Sequence, residues 1–417
     1  MQKSATLAIN ERSAELRAQG VDVIRLGLGQ SPFPIPPSVI EALRRNAHQK
    51  AYLPVEGLPE LRAAIAGYLE RSEGIDVEPG QVIVGPGTKE LMFLLQLAFD
   101  AELVLPAPSW VSYAPQARIN QRQVRWLQTR DHDQLRVTPD ALDALCSEEP
   151  GKSRLLILNY PGNPTGTSYG AKALQDIAAV ARRHGVIVLS DEIYSGLNFA
   201  GDHVSLARYY PEGTIVSNGL SKWCGAGGWR LGAFVFPREL DWLKTTIAAA
   251  ASETFSAVSA PIQHAAVVAF DGNDEIDDYL SRSRRLLCAL MTTSARRLRD
   301  AGATVPEPQG GFYLLPRFAD DCPRFRRGRP DNAAKLCESI LEDTGVAILP
   351  GGDFGMAPER RFIRLAAVDF DGEAALDRFD DLEADALPDE AFLRAHCART
   401  MTGIDRLCDW IEDRGQD

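Results

Sequence analysis

Short aliphatic segments alternate with longer amphipathic segments through the middle of the chain. A short aliphatic run is typical of a buried strand, and an amphipathic run such as residues 89–99 is typical of a helix that packs on a sheet. Their alternation predicts parallel strands joined by crossover helices. The aliphatic runs are residues 82–84, 103–105, 155–158, 186–189, 214–217 and 231–236. We therefore expect an α/β fold with an open, mostly parallel sheet covered by helices on both faces.

The pattern changes after residue 270. A long helical stretch at residues 271–301 precedes short strand-like runs, which predicts a smaller α+β domain. The strand-like runs are residues 312–315, 346–349 and 362–365, and further helical periodicity occurs at residues 333–343 and 397–413. The N-terminal segment is expected to pack with this domain, because residues 30–37 are too rich in proline to continue a helix. We predict a large domain at residues 46–285 and a small domain built from residues 1–45 and 286–417.

Charge weighs against a nucleic-acid partner. The 417 residues carry a formal net charge of −12, which opposes binding to a phosphate backbone. A basic run at residues 324–329 has no nucleic-acid-binding motif around it, so we interpret it as a solvated loop. The acidic run at residues 380–390 receives the same interpretation.

Cysteine usage and hydropathy bear on the compartment. The seven cysteines lie without close pairs, which indicates neither a disulfide framework nor a metal site. The N-terminus lacks a cationic stretch followed by an apolar one, so no secretory signal is expected. The most apolar later stretch, residues 247–270, contains Glu253 and His264, which would be costly in lipid. We expect a soluble cytoplasmic protein without a membrane segment.

Small and polar residues follow the predicted strands, where ligands of open α/β sheets bind. Gly87, Thr88 and Lys89 begin a predicted helix whose backbone N–H groups can hold a phosphate, although a plain turn and cap would have the same sequence. Lys222 follows the run at residues 214–217 in a glycine-rich loop that also contains Arg230. A lysine in such surroundings is a candidate Schiff-base former, and the alternative is a solvated surface charge.

Two further strand ends carry candidate ligand-binding side chains. Asn163 lies in a loop with two X-Pro steps that can present its amide inward, or that forms only a turn. Asp191 and Tyr194 follow the run at residues 186–189 and place a carboxylate and a phenol at the end of a buried strand. Helix capping is the alternative role of the carboxylate.

Taken together in their order along the chain, these segments resemble the fold type I pyridoxal-phosphate enzymes. They are most similar to the class I/II aminotransferase family that contains aspartate aminotransferase. The resemblance spans most of the chain. It implies an enzyme that uses pyridoxal 5′-phosphate to move an amino group from an L-amino acid to a 2-oxo acid in two half-reactions. The matching motifs are Gly27-Leu28-Gly29, residues 52–62, Asn163-Pro164-Thr165-Gly166, Ser190-Asp191-Glu192-Ile193-Tyr194, Ser221-Lys222 and Arg364-Leu365.

The resemblance implies a role for each catalytic candidate. Lys222 would form the internal aldimine with the cofactor and, once displaced by the substrate, move the proton between Cα and the cofactor carbon. Asp191 would face the pyridine nitrogen and keep it protonated, so that the ring accepts electrons. Asn163 and Tyr194 would hydrogen-bond the phenolic oxygen of the cofactor, with Asn163 also next to the substrate.

The resemblance also implies how the cofactor is held. Trp110 would stack on the pyridine ring. The phosphate would lie against Gly87, Thr88, Lys89, Ser221 and Arg230. Tyr52 would reach the phosphate from the neighbouring subunit, which implies a homodimer with shared active sites.

Substrate recognition follows from the same resemblance. Arg364 would bind the α-carboxylate of the substrate, and Gly29 would contact the same group through its backbone and leave space for the substrate. Gly219 departs from the family pattern, because some members carry a phosphate-binding serine there. Residues 366–372 and the longer segment at 380–394 also depart from it.

Two other functions are compatible with such a scaffold. One is a pyridoxal-phosphate-dependent lyase that cleaves a β C–S bond. The other is a cofactor-binding regulator without catalytic activity, which the net charge and the lack of an added DNA-binding domain disfavour.

Overall fold

The computed structural model describes residues 5–319, 322, 332–382 and 386–412. The basic run at residues 324–329 therefore lies outside the described residues, as do residues 383–385 of the acidic run. The helices are α1 (Ala5–Ala18), α2 (Pro37–Asn46), α3 (Pro59–Glu73), α4 (Thr88–Ala98), α5 (Tyr113–Ile119), α6 (Pro139–Glu148), α7 (Ala171–His184), α8 (Asp241–Ser252), α9 (Ala260–Asp271), α10 (Asp274–Asp300), α11 (Ala333–Thr344), α12 (Gly372–Asp377), α13 (Glu390–His396) and α14 (Ala398–Ile411).

The strands form one large sheet and several small ones. In chain order they are β1 (Ile24–Arg25), β2 (Val82–Gly85), β3 (Glu102–Ala107), β4 (Val124–Gln128), β5 (Arg154–Asn159), β6 (Ile187–Asp191), β7 (Thr214–Gly219), β8 (Gly232–Val235), β9 (Ala303–Thr304), β10 (Tyr313–Leu314), β11 (Arg317–Phe318), β12 (Val346–Ala347), β13 (Leu349–Pro350) and β14 (Ile363–Ala366).

The large sheet has seven strands in the order β2-β8-β7-β6-β5-β3-β4. Strand β8 runs antiparallel to both of its neighbours, and the remaining pairs are parallel. The prediction of an α/β fold with a mostly parallel sheet is confirmed. Each of the six predicted aliphatic runs contributes a strand to this sheet.

Helices cover both faces of the large sheet. Successive side chains of a strand point to opposite sides, so each strand contributes buried residues to both faces. On one face Leu103, Leu155 and Leu189 pack with residues of α4, α5 and α8. On the other face Val104 and Val188 pack with residues of α6 and α7. Because β3 to β7 run parallel, their carboxyl ends lie at the same edge of the sheet.

Strand β4 has no counterpart in the predicted strands. It pairs with β3 at the edge of the sheet, and of its side chains only Leu127 is buried. An edge strand needs no continuous aliphatic run, because solvent reaches part of its surface. With Arg125 and Gln128 among its five residues, β4 has no aliphatic run that predicts a strand.

The C-terminal part is built around small antiparallel sheets and long helices. Strands β10, β14 and β13 form a three-stranded sheet, and β9 pairs with β11. The 27-residue α10 begins at an Asn273 cap, whose side chain accepts from the Ile276 backbone N–H. Helix α14 buries one face, including Met401, Ile404 and Leu407, as its periodicity predicts. The predicted run at residues 346–349 is two short strands, because β12 and β13 pair with different partners.

The N-terminal segment contacts both parts of the chain. Strand β1 pairs in parallel with β12, and α1 contacts α11. Helix α2 instead packs against α9. The predicted domain boundaries at residues 45 and 285 stay a prediction.

Candidate active site

A cavity of about 710 Å³ lies where the carboxyl ends of β5, β6 and β7 meet the N-terminus of α4. Segments from the N-terminal and C-terminal parts complete its wall. The predicted site residues that line it are Gly29, Thr88, Lys89, Trp110, Asn163, Asp191, Tyr194, Ser221, Lys222, Arg230 and Arg364. Positions from seven separate stretches of sequence therefore converge on one space.

Two predicted site residues lie apart from the cavity wall. Gly87 is behind Arg230, and a Cβ atom there would lie 2.3 Å from Nη2 of that arginine. Gly87 has a φ of 86°, so a side chain would be strained as well as obstructed. Tyr52 is 97% exposed on the surface and contributes nothing to the cavity of its own chain.

Lys222 lies in the loop after β7 and reaches across the cavity. Its Nζ donates a hydrogen bond of 2.8 Å to the backbone carbonyl of Gly29 and lies 5.6 Å from the centre of the Tyr194 ring. The end of β7 is closely packed, since a Cβ atom at Gly219 would lie 2.9 Å from the Leu231 carbonyl oxygen. The departure at Gly219 thus has a steric reason, because no serine fits without a backbone shift.

Asp191 is a buried carboxylate at the end of β6. Its Oδ2 accepts a 2.5 Å hydrogen bond from the Tyr113 hydroxyl, and its Oδ1 accepts one of 3.1 Å from Ser217. Burial raises the pKa of Asp191 to about 6, and these two hydrogen bonds oppose the rise by stabilising the charged form. Sequence reasoning missed both partners. No local pattern in the sequence marks either hydroxyl as a partner of Asp191.

Asn163 and Tyr194 are held near Asp191 by backbone and side-chain contacts. The Asn163 backbone N–H donates to Oδ1 of Asn159, whose amide donates to the Asp191 carbonyl. The Tyr194 hydroxyl lies 3.0 Å from the hydroxyl of Tyr313, a residue absent from the predicted site. Burial raises the pKa of Tyr194 well above its usual range, so this phenol keeps its proton at neutral pH.

Three cations face the cavity without acidic partners. Arg230 donates to the carbonyls of Gly227 and Pro86, and Lys89 lies 4.9 Å from the Trp110 ring centre. Burial, together with the neighbouring charges of Arg230 and Lys222, lowers the pKa of Lys89. The three cations, Lys89, Lys222 and Arg230, form no ion pair with any described residue. With the free N–H groups at the start of α4, these charges form a site for an anion.

Arg364 supplies a fourth cation from β14. It is 4% exposed, and its guanidinium lies between the rings of Tyr313 and Phe354, at 4.8 and 5.1 Å from their centres. It donates to the Gly27 carbonyl and, at 3.4 Å, to Oδ1 of Asn163. Its Nε has no hydrogen-bond partner in the described part of the chain. A buried guanidinium that forms no ion pair within the described part of the chain is costly, which favours a carboxylate ligand.

A buried polar network lies behind Asp191. Glu192 accepts hydrogen bonds from Ser190 and Ser205 and lies 3.1 Å from Nε2 of His203. The backbone N–H of Ser205 also donates to Glu73. Burial and the charge of Glu192 raise the pKa of Glu73 to about 7. Sequence reasoning did not find this network, and its link to Glu73 joins residues that lie 132 positions apart along the chain.

These residues fit pyridoxal phosphate. An anion site at the helix terminus suits its phosphate, Asp191 suits a protonated pyridine nitrogen, and the Trp110 side chain offers an aromatic surface. Lys222 supplies the amine that an aldehyde requires. The fold and this cavity are those of a pyridoxal-phosphate enzyme of fold type I.

The comparisons with known proteins identify the family. Residues 21–371 match the family described as "Aminotransferase class I and II". The chain belongs to this family, and it is therefore a pyridoxal-phosphate-dependent aminotransferase whose substrates are an amino acid and an oxo acid. The predicted family, enzyme class and cofactor are confirmed.

Relatives and solved structures are similar over nearly their whole lengths. The aspartate aminotransferase of Geobacillus stearothermophilus is 32% identical over an alignment of 365 residues that covers 85% of this chain and 90% of the relative. The asparagine–oxo-acid transaminase of Streptococcus mutans is 33% identical over an alignment of 374 residues that covers 86% of this chain and 91% of the relative. The structure of Thermus thermophilus aspartate aminotransferase with maleate has a TM-score of 0.81 at 28% identity and covers 98% of this chain and 97% of its own.

The described residues offer neither a membrane-crossing helix nor a metal-binding cluster. No helix in the described ranges combines the length and the apolar character needed to cross a membrane. Among the same residues, no group of three or more His, Cys, Asp and Glu side chains is arranged to hold a metal ion.

Proposed function

We propose that Lys222 is the amine that binds the cofactor aldehyde and later moves the proton at the substrate Cα, during transfer of an amino group from an L-amino acid to a 2-oxo acid. The observation that carries this proposal is the placement of Lys222 and of the buried Arg364, whose Nε has no hydrogen-bond partner among the described residues, on the same cavity. A substrate carboxylate at Arg364 would place the Cα of an amino acid within the cavity that Lys222 enters. Pyridoxal phosphate, when bound, supplies the aldehyde and an electron-accepting ring.

The other residues bind and orient. Asp191 would hold a proton on the pyridine nitrogen, and its burial among hydrogen-bond donors supports that role. Tyr194 and Asn163 would donate to the phenolic oxygen, and Trp110 would cover one face of the ring. The phosphate would be bound by Arg230, Ser221 and the start of α4, with Gly87 leaving room for the arginine.

A half-reaction screen tests the proposed reaction. The purified protein is loaded with pyridoxal phosphate and mixed with single amino acids while its visible absorbance is followed, and 2-oxoglutarate is then added to detect the second half-reaction. Aspartate, glutamate and asparagine come first, because relatives carry names that refer to aspartate and asparagine and because Lys89 presents an unpaired cation to the cavity. Absence of any oxo-acid product across a broad panel would reject the proposal. Release of pyruvate and ammonia from cystathionine would instead favour a C–S lyase.

A substitution pair tests the role of Lys222. Lys222→Ala should still bind pyridoxal phosphate but lose essentially all turnover. Lys172→Ala is the matched control, because Lys172 is an exposed lysine of α7 that pairs only with Asp176. Wild-type turnover by Lys222→Ala would contradict the proposal.

We also propose a homodimer in which Tyr52 completes the phosphate site of the partner. The 97% exposure of Tyr52 in the single chain supports this arrangement. Mixing Tyr52→Ala with Lys222→Ala should restore activity, since one site of each mixed dimer then contains both native residues. No recovery in mixtures shown to exchange subunits would reject the shared site.

A reducing, cytoplasmic location is part of the same proposal. All seven cysteines are free thiols in the structure, and six of them are buried. Native protein purified from its source should therefore show seven titratable thiols after unfolding without reductant. A smaller number would argue against this location.

A further inference from the structure

Tyr313 has a position in the cavity that the proposed roles do not use. It lies on β10 and is 1% exposed, and its ring contacts the guanidinium of Arg364 at 4.8 Å. Its hydroxyl lies 3.0 Å from the hydroxyl of Tyr194. One side chain thus contacts both the candidate carboxylate-binding arginine and the phenol that faces the cofactor site.

The backbone around Tyr313 is shaped to admit its phenol. A Cβ atom at Gly29 would lie 1.9 Å from the Tyr313 hydroxyl oxygen and 2.8 Å from Cζ. Any side chain at Gly29 would displace the phenol from Tyr194. The glycine is therefore needed for the approach of Tyr313, in addition to the space it leaves for a substrate.

Hydrogen-bond capacity determines which of the two phenols donates. A phenol has one proton to donate. Under the proposed function, the Tyr194 hydroxyl donates its one hydrogen bond to the phenolic oxygen of the cofactor. The oxygen of Tyr194 is then an acceptor, so the proton between the two hydroxyls comes from Tyr313. Donation into the oxygen of Tyr194 polarises its O–H bond and strengthens it as a donor.

We propose that Tyr313 is a positioning residue that strengthens Tyr194 as a hydrogen-bond donor through its hydroxyl and orients Arg364 through its ring. The proposal rests on the proposed function. It makes the two halves of Tyr313 separable, because the hydroxyl acts toward the cofactor and the ring acts toward the substrate carboxylate.

The hydroxyl is tested by a double-mutant cycle of Tyr313→Phe and Tyr194→Phe in the pyridoxal-phosphate-loaded protein. The readout is the pH midpoint of the absorbance change, which reports the proton shared by the lysine nitrogen and the phenolic oxygen. A weaker donor to that oxygen leaves it more basic, so the midpoint should rise. We expect a rise of about 0.5 to 1 pH unit for Tyr313→Phe. The rise should be larger for Tyr194→Phe, and the double variant should show the same rise as Tyr194→Phe alone.

Tyr210→Phe is the matched control for that cycle. Tyr210 is also a buried tyrosine, but it precedes the amino end of β7, opposite the end that meets the cavity. Its midpoint should equal that of the wild type. An unmoved midpoint in Tyr313→Phe, or full additivity in the double variant, would overturn the role of the hydroxyl.

The ring is tested with an unreactive carboxylate. Tyr313→Leu should weaken the binding of maleate by about 3- to 10-fold, because the cation–π contact with Arg364 is lost. Tyr313→Phe should bind maleate like the wild type. Equal affinities in all three proteins would overturn the role of the ring. If the leucine variant does not fold, Tyr313→Met, which also lacks a ring, should show the same weakening, and wild-type affinity in that variant would overturn the role of the ring.

Failure of the proposed function gives a different result. If no variant, including the wild type, develops a visible absorbance band with pyridoxal phosphate, the proposed function is wrong and this inference falls with it. A band with an unmoved midpoint rejects only the role of Tyr313.

Discussion

Removal of the Tyr113 hydroxyl should shift the pH range in which the protein binds pyridoxal phosphate. Tyr113 is fully buried, and its hydroxyl donates the 2.5 Å hydrogen bond to Asp191. The pKa of Asp191 is about 6 because burial outweighs this bond and the bond from Ser217. In Tyr113→Phe the charged carboxylate loses one of its two side-chain donors. The pKa of Asp191 must then rise further.

The size of the shift follows from the hydrogen bond. A hydrogen bond to a charged group contributes about 1.5 to 3 kcal/mol, and 1.36 kcal/mol corresponds to about one pKa unit. Tyr113→Phe should therefore raise the pKa of Asp191 by roughly 1 to 2 units. Ser217→Ala removes the longer bond of 3.1 Å and should have the smaller effect. Because a protonated Asp191 is no partner for a pyridinium, affinity should be lost as the pH falls through this pKa.

Equilibrium dialysis of pyridoxal phosphate between about pH 5 and pH 9 measures this dependence without turnover. The titration of the ligand itself is common to both proteins, so the difference between the two curves reports the protein. The loss of affinity for pyridoxal phosphate at acid pH should begin at a higher pH in Tyr113→Phe than in the wild type. Tyr210→Phe should follow the wild type. Superimposable curves, or a loss that begins at a lower pH in Tyr113→Phe, would refute the role assigned to this hydrogen bond.

Two further predictions concern Arg364 and Glu73. Arg364→Lys should lower kcat/KM for amino acids by about 100-fold, since it loses roughly 3 kcal/mol of bidentate binding. The wild type and Arg364→Lys should turn over an amine analogue of the substrate that lacks the α-carboxylate at equal rates. An equal loss of kcat/KM with the amino acid and with this analogue would contradict the assignment. For Glu73, a pKa of about 7 against 4.5 for the free side chain means that its protonated form stabilises the fold below pH 4.5, and that this contribution is lost as the pH rises to 7. Glu73→Gln should thus match the wild type in melting temperature near pH 5 and exceed it at pH 8. A lower melting temperature of Glu73→Gln at pH 8 would contradict the role assigned to Glu73.

The parts of the fold that could be predicted were those with strong local patterns. Buried strands such as β5 and β6 have continuous aliphatic runs, and α14 has a regular apolar face. Strand β4 lacks such a run because it lies at the sheet edge. The separation of β12 from β13 depends on pairing partners that are distant in the sequence, so no local pattern indicates it.

The candidate site divides in a similar way. Lys222, Asp191 and Arg364 occur in recognisable motifs at strand ends, so the resemblance to the family placed them in one site. Tyr113 and Tyr313 were missed because their roles arise from contacts with side chains that lie 78 and 119 residues away along the chain. A buried tyrosine in the sequence gives no sign of which hydroxyl or carboxylate it meets.

The surplus of cations in the cavity affects how the protein behaves in ordinary solutions. Phosphate and citrate buffers offer the same oxygen anions as the natural ligands, so they should occupy Arg230 or Arg364 and stabilise the apoprotein by mass action. An affinity for cofactor or amino acid measured in such a buffer is an apparent value that weakens as the buffer is concentrated. A tertiary-amine buffer at low concentration should give the intrinsic constants, because it carries no oxygen anion and forms no imine with the cofactor aldehyde.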